Sequence, residues 1–212
     1  MMKYENNVLV ILGGWNANIL LNVNWLKRYL FPENKNFNVV MPINLSIPGP
    51  PQISTDSIKL SLMGTKLSFA PLREGDSTLE EIEELGKKVA DFLPHTPVRA
   101  TGINFLFEEE KDDKSLTWTS RNGERRLKSI GDIKEEVHRY SFSLEEYTLN
   151  LSVQRLSDGR QTYDFNFNHP VDTLADIKEI LTKKHIIEYK RDAEGYLARL
   201  FENNAKKGDS DE

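Results

Sequence analysis

The sequence contains no cysteine among its 212 residues. Disulfide bonds, thiolate zinc sites, iron–sulfur clusters and cysteine nucleophiles are therefore excluded. Long apolar runs are also missing, since the longest, Val8 to Leu12, stops at Gly13-Gly14 and is far shorter than a membrane span. The first residues lack the apolar core and small-residue cleavage site of a signal peptide. These absences favour a cytoplasmic protein without a membrane segment.

An excess of basic residues is absent as well, because 28 Lys and Arg stand against 33 Asp and Glu, giving a net charge of -5. This balance argues against nucleic acid as the dominant partner. A hydrophobic content of 38% and a charged content of 29% are typical of globular proteins. We predict one α+β domain over 1–204, either undivided or built from two sub-halves of about 1–110 and 111–204, followed by a disordered tail at 205–212.

Alternating apolar and polar residues predict a mainly antiparallel sheet. One hairpin is predicted from Ile58 to Phe69 and a second from Tyr147 to Phe167, around Ser157-Asp158-Gly159. Additional strands are predicted over 8–12 (buried on both faces), 37–47 (an edge strand), 98–107 and 138–142.

Three helices are predicted to pack on the sheet. The first runs from about Asn18 to Phe31 and is stopped by Pro32. The second carries an apolar stripe from Leu79 to Leu93, and Ser77 with Glu80 predicts a capping box at its start.

The third helix is predicted to be long and C-terminal. Asp172 or Thr173 is predicted to cap it, and its apolar spacing continues to about Asn204, with Gly195 as a point of bending. The fold class predicted is thus α+β, with a mainly antiparallel sheet, packed helices and a long C-terminal helix.

Val98 to Phe107 reads Val-Arg-Ala-Thr-Gly-Ile-Asn-Phe-Leu-Phe after an acidic amphipathic helix. It resembles a strand of a sporadically distributed family of uncharacterised bacterial proteins, whose arginine, glycine, apolar and aromatic positions correspond to Arg99, Gly102, Ile103, Phe105 and Leu106. Tyr163 to Phe167, followed by a helix with His185 and Phe201, is similar to the family's C-terminal half. Arg99 lies one residue further from Gly102 than in the family, and Asn104 replaces a basic residue. The resemblance implies a similar order of elements and no particular activity.

Candidate chemistry in the sequence is sparse. Gly13-Gly14 lies where a strand meets a helix, as in phosphate-binding loops, but neither the dinucleotide fingerprint nor the P-loop pattern is present. A tight turn is the simpler interpretation. The histidines show no metal-ligand spacing, so we predict no metal, cofactor or catalytic residue, and a site assembled in space from His with Asp or Glu stays open. These histidines are His95, His138, His169 and His185.

Carboxylates are common in the sequence, and their placement follows helix polarity and charged loops. We predict that they form solvated surfaces. They are Glu80, Glu81, Glu83, Glu84 and the glutamates of 108–110.

A basic hairpin is predicted over 118–128, turning at Asn122-Gly123. Its arginines and tryptophan could contact phosphates and stack a base, although charge on a projecting hairpin is also how proteins keep sheet edges soluble. The candidate interaction surface predicted here consists of Trp118, Arg121, Arg125 and Arg126.

The leading hypothesis is a non-enzymatic protein–protein interaction or adaptor protein of bacterial or phage type. A partner protein, or a second copy, would bind the C-terminal helix. The alternative is a small-ligand binder or enzyme that uses a cleft near Gly13-Gly14. The second alternative is a nucleic-acid binder that uses the 118–128 hairpin.

Overall fold

The computed structural model describes residues 2–3, 7–32, 37–40, 51–109, 134–158 and 160–208, with side chains described from residue 7 to residue 201 of these ranges. The chain forms one antiparallel sheet of ten strands, with helices packed on one of its faces. The predicted α+β class with a mainly antiparallel sheet is therefore confirmed.

The first elements are a short strand β1 (Met2–Lys3) and a central strand β2 (Leu9–Gly13). Leu9 and Ile11 are buried under the helices, whereas Val10 and Leu12 are only half-buried on the opposite face. The prediction that this strand is buried on both faces is therefore wrong, because the described helices all pack on the face that carries Leu9 and Ile11.

The predicted first helix is divided into α1 (Ala17–Leu20) and α2 (Val23–Trp25), which continues as a π-helical turn (Leu26–Leu30). Asparagines cause the division, because their side chains cap new helix starts. Asn16 accepts a hydrogen bond from the N–H of Asn18, and Asn22 accepts from the N–H of Asn24 and Trp25.

Four strands follow on one side of β2. They are β3 (Asn38–Val40), β4 (Gln52–Ser54), β5 (Ile58–Met63) and β6 (Lys66–Pro71). β5 and β6 form the predicted hairpin, and Gly64 adopts a φ of 58° in its turn. β3 lies at the edge of the sheet, as predicted, and the predicted strand residues 41–47 lie outside the described residues.

Helix α3 (Asp76–Phe92) buries the predicted apolar stripe, including Leu79, Ile82 and Val89. Its start differs from the prediction. Gly75 occupies the N-cap position with a φ of 130°, and no side chain caps the helix. The capping box of Ser77 with Glu80 is therefore wrong, because the helix begins before Ser77.

The remaining strands are β7 (Val98–Glu109), β8 (Glu135–Ser143), β9 (Thr148–Leu156) and β10 (Gln161–Pro170). The strand order is β3-β4-β5-β6-β2-β7-β10-β9-β8, and β1 pairs with β7 off this path. β8 therefore lies at the opposite edge from β3.

The C-terminal segment forms two helices, α4 (Leu174–Lys183) and α5 (Ile186–Gly208). Thr173, one of the two predicted caps, is the N-cap of α4, and it forms a capping box with Asp176. The prediction of one continuous helix bending at Gly195 is wrong, since the chain breaks at Lys184-His185, where Lys184 is extended. None of the described helices is long and apolar enough to cross a membrane.

The helices meet the sheet in one continuous core. Gly86 of α3 lies where three elements converge, because a Cβ there would come within 2.7 Å of the Leu9 side chain and 3.0 Å of Leu181. α5 packs along β10, with the Phe201 ring 5.8 Å from Tyr163. The opposite face of the sheet carries small polar side chains from β7, β9 and β10.

Candidate functional site

Strand β8 forms the edge of the sheet beside the helices, and no described strand pairs with its outer side. Four large apolar side chains here are exposed. We call them the edge surface: Val137, Tyr140, Phe142 and Leu144. Natural proteins usually shorten or charge such an edge, because its open backbone groups can pair with another chain. β8 is nine residues long and carries both charged residues and exposed apolar side chains, which makes this edge a candidate binding surface.

The backbone of β8 shows which groups point outward. The N–H of Leu144 donates to the carbonyl of Tyr147, so the even-numbered residues of β8 bond to β9. The odd-numbered residues consequently direct their N–H and C=O groups away from the sheet. These outward residues are Glu135, Val137, Arg139, Ser141 and Ser143.

The aromatic side chains of the edge surface lie on the helix side of the sheet. Tyr140 is opposite Leu151 and Phe142 is opposite Leu149, and both of these leucines are buried. The Tyr140 and Phe142 rings stack with centroids 6.4 Å apart and an interplanar angle of 21°. Tyr140 and Phe142 thus lie on the same face as the buried core and extend its apolar surface to the exposed edge of the sheet.

A polar groove of about 380 Å³ lies on the other face of the sheet. A hydrogen-bonded row of side chains, which we call the amide ladder, runs across this face from strand to strand, and two of its members, Asn104 and Asn166, line the groove. Ser141 donates to Asn150 (2.8 Å), Asn150 to Asn166 (2.9 Å), and Asn166 to Asn104 (2.7 Å). Asn104 in turn donates to the carbonyl of Asn7. The ladder leaves one further N–H on Asn150 and on Asn166, whereas Asn104 also donates to the carbonyl of Gly102 (3.4 Å).

Gly102 makes the groove possible, since a Cβ at this position would come within 2.8 Å of the Asn166 amide nitrogen. Val10, Leu12 and Ala100 give the groove an apolar wall beside its amides. Lys66 and Asp164 lie at its ends. The groove therefore has the shape and mixed lining of a small polar-ligand site.

Asp164 is the one residue, within the described part of the chain, that has a buried side-chain oxygen atom (Oδ1) without a hydrogen-bond partner. Burial raises the pKa of its carboxyl group. An unpartnered buried carboxylate destabilises a fold by roughly 1–3 kcal/mol. Asp164 is therefore an unfavourable residue for stability at this position.

We expect Asp164→Asn to raise the free energy of unfolding at pH 7 by about 1 kcal/mol, because the amide carries no charge to desolvate. The folded state has the higher pKa, so the penalty is absent below the unfolded-state pKa and develops as pH rises through the folded-state pKa. Urea unfolding at pH 7 and at about pH 3.5 measures the difference in free energy of unfolding between Asp164→Asn and wild type. This difference should vanish at the lower pH. Asp56→Asn, at an exposed carboxylate, is the control. A variant no more stable than wild type at pH 7 would contradict this account.

A second cavity, of about 320 Å³, lies between α4, α5 and the end of β10. His169 is buried here and not in a loop, which corrects the sequence interpretation. Its Nε2 lies 3.1 Å from the Tyr189 hydroxyl, and the ring packs against Tyr147 with centroids 5.3 Å apart. Burial lowers the His169 pKa. The buried ring is thus held by a hydrogen bond and by aromatic packing, which suits a structural role.

Two lysines, Lys183 and Lys184, also line this cavity. The Lys184 ammonium lies 4.5 Å from the centroid of the Tyr189 ring and bonds to Asp192. At the cavity mouth, Lys183 pairs with Glu146 at 2.9 Å. The cations here are therefore neutralised by the protein itself, and the cluster holds the break between α4 and α5 against β10.

Glu83 was predicted to be solvated, but its side chain is buried between α3 and the start of α5. It accepts hydrogen bonds from Lys87 (2.7 Å), His185 Nδ1 (2.8 Å) and the N–H of Ile186 (2.9 Å). A His–carboxylate pair, left open by the sequence, therefore exists. Burial would raise the Glu83 pKa, but these three hydrogen bonds outweigh it and lower the pKa.

The Gly13-Gly14 junction is a tight turn whose N–H groups are already used. Gly13 donates to the carbonyl of Thr65 and Gly14 donates to the carbonyl of Pro97, each at 2.8 Å. A Cβ on Gly13 would lie 2.7 Å from the Pro97 carbonyl oxygen. The glycines are thus explained by close packing, and their N–H groups do not point at a phosphate.

The sequence-predicted interaction residues Trp118, Arg121, Arg125 and Arg126 lie outside the described residues. The residues that the structure brings forward, Tyr140, Phe142 and Asp164, were read from the sequence only as members of alternating strands. No single-strand pattern indicates which strand ends a sheet, so the edge position of β8 had no local signal.

Among the described residues, no group of three or more histidines and carboxylates is arranged to hold a metal ion. The edge surface and the polar groove are therefore the two candidate sites. Comparison of the chain with protein-family models, curated proteins and solved structures found no match.

Proposed function

We propose that the protein is a non-enzymatic protein–protein interaction module that pairs β8 with an extended segment of another polypeptide. The observation that carries this proposal is the combination of outward backbone groups and exposed apolar side chains on one edge strand. In strand addition, backbone hydrogen bonds provide affinity and alternate side chains provide specificity. β8 offers both, with Tyr140 and Phe142 on one face and Val137 on the other.

The C-terminal helix is a weaker partner surface than β8. Its apolar side is used inside the molecule, where Ile186, Tyr189 and Ala193 are buried and Phe201 packs on Tyr163. An interaction module also agrees with the buried cluster at His169, whose Nε2 bonds to the Tyr189 hydroxyl inside the protein.

Ser141 allows a direct test, because its N–H points outward while those of the neighbouring even residues serve β9. We expect Ser141→Pro to weaken binding of extended peptides, selected from a random library on the full chain, by about tenfold or more, since proline removes that N–H at an edge position where the fold tolerates it. Binding is measured by calorimetry or fluorescence anisotropy.

Ser141→Ala is the matched control. It removes the hydroxyl that donates to Asn150 but keeps the backbone N–H, so peptide affinity should change little. Equal peptide affinity for the proline variant and the wild type would refute strand pairing at β8, and so would a library that yields no extended peptide.

The small-ligand alternative finds its support in the polar groove and not at Gly13-Gly14. The unpartnered oxygen of Asp164 favours it, because buried polar atoms are normally satisfied by some group. Gly102→Val would fill the groove, so it would abolish binding of any ligand held there while leaving peptide capture by β8 intact.

A further inference from the structure

We propose that the polar groove binds a small organic zwitterion, whose ammonium group lies against Asp164 and whose anionic group lies towards Lys66. The groove spans β6, β2, β7 and β10, whereas strand capture would use the outer edge of β8. The groove is therefore a second site, and the failure of one proposal leaves the other standing.

Asp164 provides the anionic end of the groove. Its Oδ1 atom is buried without a hydrogen-bond partner, and among the described residues no charged group offsets the effect of burial, which raises the pKa of this carboxyl group. A ligand ammonium would supply both a hydrogen bond and a positive charge. A ligand hydroxyl would supply only the hydrogen bond, and a charge-assisted hydrogen bond is roughly twice as strong as a neutral one. Asp164 therefore favours an amine over a neutral polyol.

The groove is better suited to an organic cation than to a metal ion. Asp164 is the only acidic residue among the described residues that line it, and Ca²⁺ takes about six to eight oxygen ligands, often from several carboxylates. An ammonium group has only three N–H donors to satisfy. Asn166 lies two residues along β10 from Asp164, on the same face, and its amide oxygen accepts one hydrogen bond and keeps a second lone pair.

Lys66 provides the cationic end of the groove. It lines the groove, and its ammonium group forms no ion pair with any residue that the structure describes. This charge would repel a second ammonium group on the ligand and attract a carboxylate. The two ends of the groove therefore differ in the charge they accept.

The register of the strands sets the distance between the two ends. Lys66 is aligned across the sheet with Leu12, Ala100 and Pro170, so Asp164 lies six residues further along β10 and three strands away. Strand spacing and rise place the two Cα atoms roughly 25 Å apart. Lys66 and Asp164 therefore cannot pair with each other, and a ligand must be longer than an α-amino acid to approach both.

The middle of the groove suits a methylene chain. Val10, Leu12 and Ala100 form an apolar wall on one side, and Asn166 offers one remaining amide N–H on the other. The volume of about 380 Å³ lies at the small end of the range for ligand sites. The chemical class that fits is an amine and an anionic group joined by a short, largely apolar chain.

Binding of ε-aminocaproate to the full-length protein tests this proposal, because the compound carries an ammonium group and a carboxylate at opposite ends of a methylene chain. We expect Asp164→Asn to weaken its binding at least tenfold, since the amide keeps the shape of the carboxyl group and removes its charge. Asp56→Asn, at an exposed carboxylate, is the matched control and should leave the affinity unchanged. Calorimetry or chemical-shift titration measures the affinities, and circular dichroism checks that each variant is folded.

Two related compounds test the two ends separately. ε-Hydroxycaproate replaces the ammonium group with a hydroxyl, and we expect it to bind the wild type at least tenfold more weakly than ε-aminocaproate. Hexamethylenediamine replaces the carboxylate with a second ammonium group, and it should also bind more weakly. Lys66→Glu should reverse the order of the diamine and ε-aminocaproate.

Three results would overturn the proposal. Absence of ε-aminocaproate binding would exclude the zwitterion site, and equal binding of ε-hydroxycaproate would exclude the ammonium position at Asp164. An unchanged ligand order in Lys66→Glu would exclude the anionic position at Lys66. Peptide capture by β8 should be the same in Asp164→Asn as in the wild type, so these results do not depend on strand pairing.

Discussion

Replacing Glu83 with alanine is expected to lower the free energy of unfolding by about 3 kcal/mol at pH 7. The buried carboxylate serves three donors from two helices, and two of them, His185 and the N–H of Ile186, lie at the break between α4 and α5. Removal of Glu83 leaves the Ile186 N–H buried without a partner. Lys87 would lose one of its two carboxylate partners and keep the other, Glu84, at 3.1 Å.

Urea unfolding with a circular-dichroism signal measures this effect, and Glu84→Ala is the matched control. Glu84 is 62% exposed, and its ion pair with Lys87 should contribute at most about 0.5 kcal/mol. A loss of stability at Glu83 no larger than that at Glu84 would show that the buried carboxylate does not hold the helices together.

The same residue predicts a pH dependence. Burial opposes ionisation of Glu83, but its hydrogen bonds to Lys87, His185 and Ile186 prevail, so its folded-state pKa lies below the ordinary value of 4.5. A lowered carboxyl pKa contributes stability that is complete above the unfolded-state pKa and is lost as pH falls through the folded-state pKa. The difference between wild type and Glu83→Ala should therefore narrow below about pH 4.5.

Replacing Phe167 with alanine is expected to destabilise the fold by about 3–5 kcal/mol, the range for large aromatic truncations in a core. Phe167 is fully buried, and its ring lies 5.1 Å from Tyr189 of α5, 5.3 Å from Tyr147 and 6.3 Å from Phe105, measured between centroids. These rings attach α5 to the centre of the sheet. The cavity left by truncation cannot be filled by elements held on three sides.

Chemical denaturation also measures this prediction. Phe142→Ala removes a ring of the same size from the exposed edge two strands away, so it should change stability by less than about 1 kcal/mol. Near-equal losses for the two truncations would mean that the ring cluster around Phe167 is not the centre of the core.

Much of the sheet was predictable from the sequence because alternation along a strand reports which face is buried. The hairpins β5–β6 and β9–β10 and the strand β7 were confirmed on that basis. Local signals were less reliable at helix ends. Thr173 caps α4 as predicted, whereas Gly75 begins α3 in place of the expected Ser77.

Long-range relations were not predictable in the same way. Glu83 lies in an acidic helical run that reads as solvated, and only the return of the chain 102 residues later brings His185 against it. The break at Lys184-His185 likewise depends on this contact and on Tyr189 reaching His169. The edge position of β8 depends on the order of all the strands, which alternation within one strand does not encode.

The hydrogen bonds of the amide ladder all run in one direction across the face of the sheet. Each side chain in the row Ser141, Asn150, Asn166 and Asn104 donates in the same direction, from the rim of the sheet towards its middle. Turning over one amide alone would set two N–H groups, or two carbonyl oxygens, against each other. The row therefore has a single polarity, set at its inner end where Asn104 donates to the backbone carbonyl of Asn7, and this polarity fixes the pattern of donors and acceptors that faces solvent.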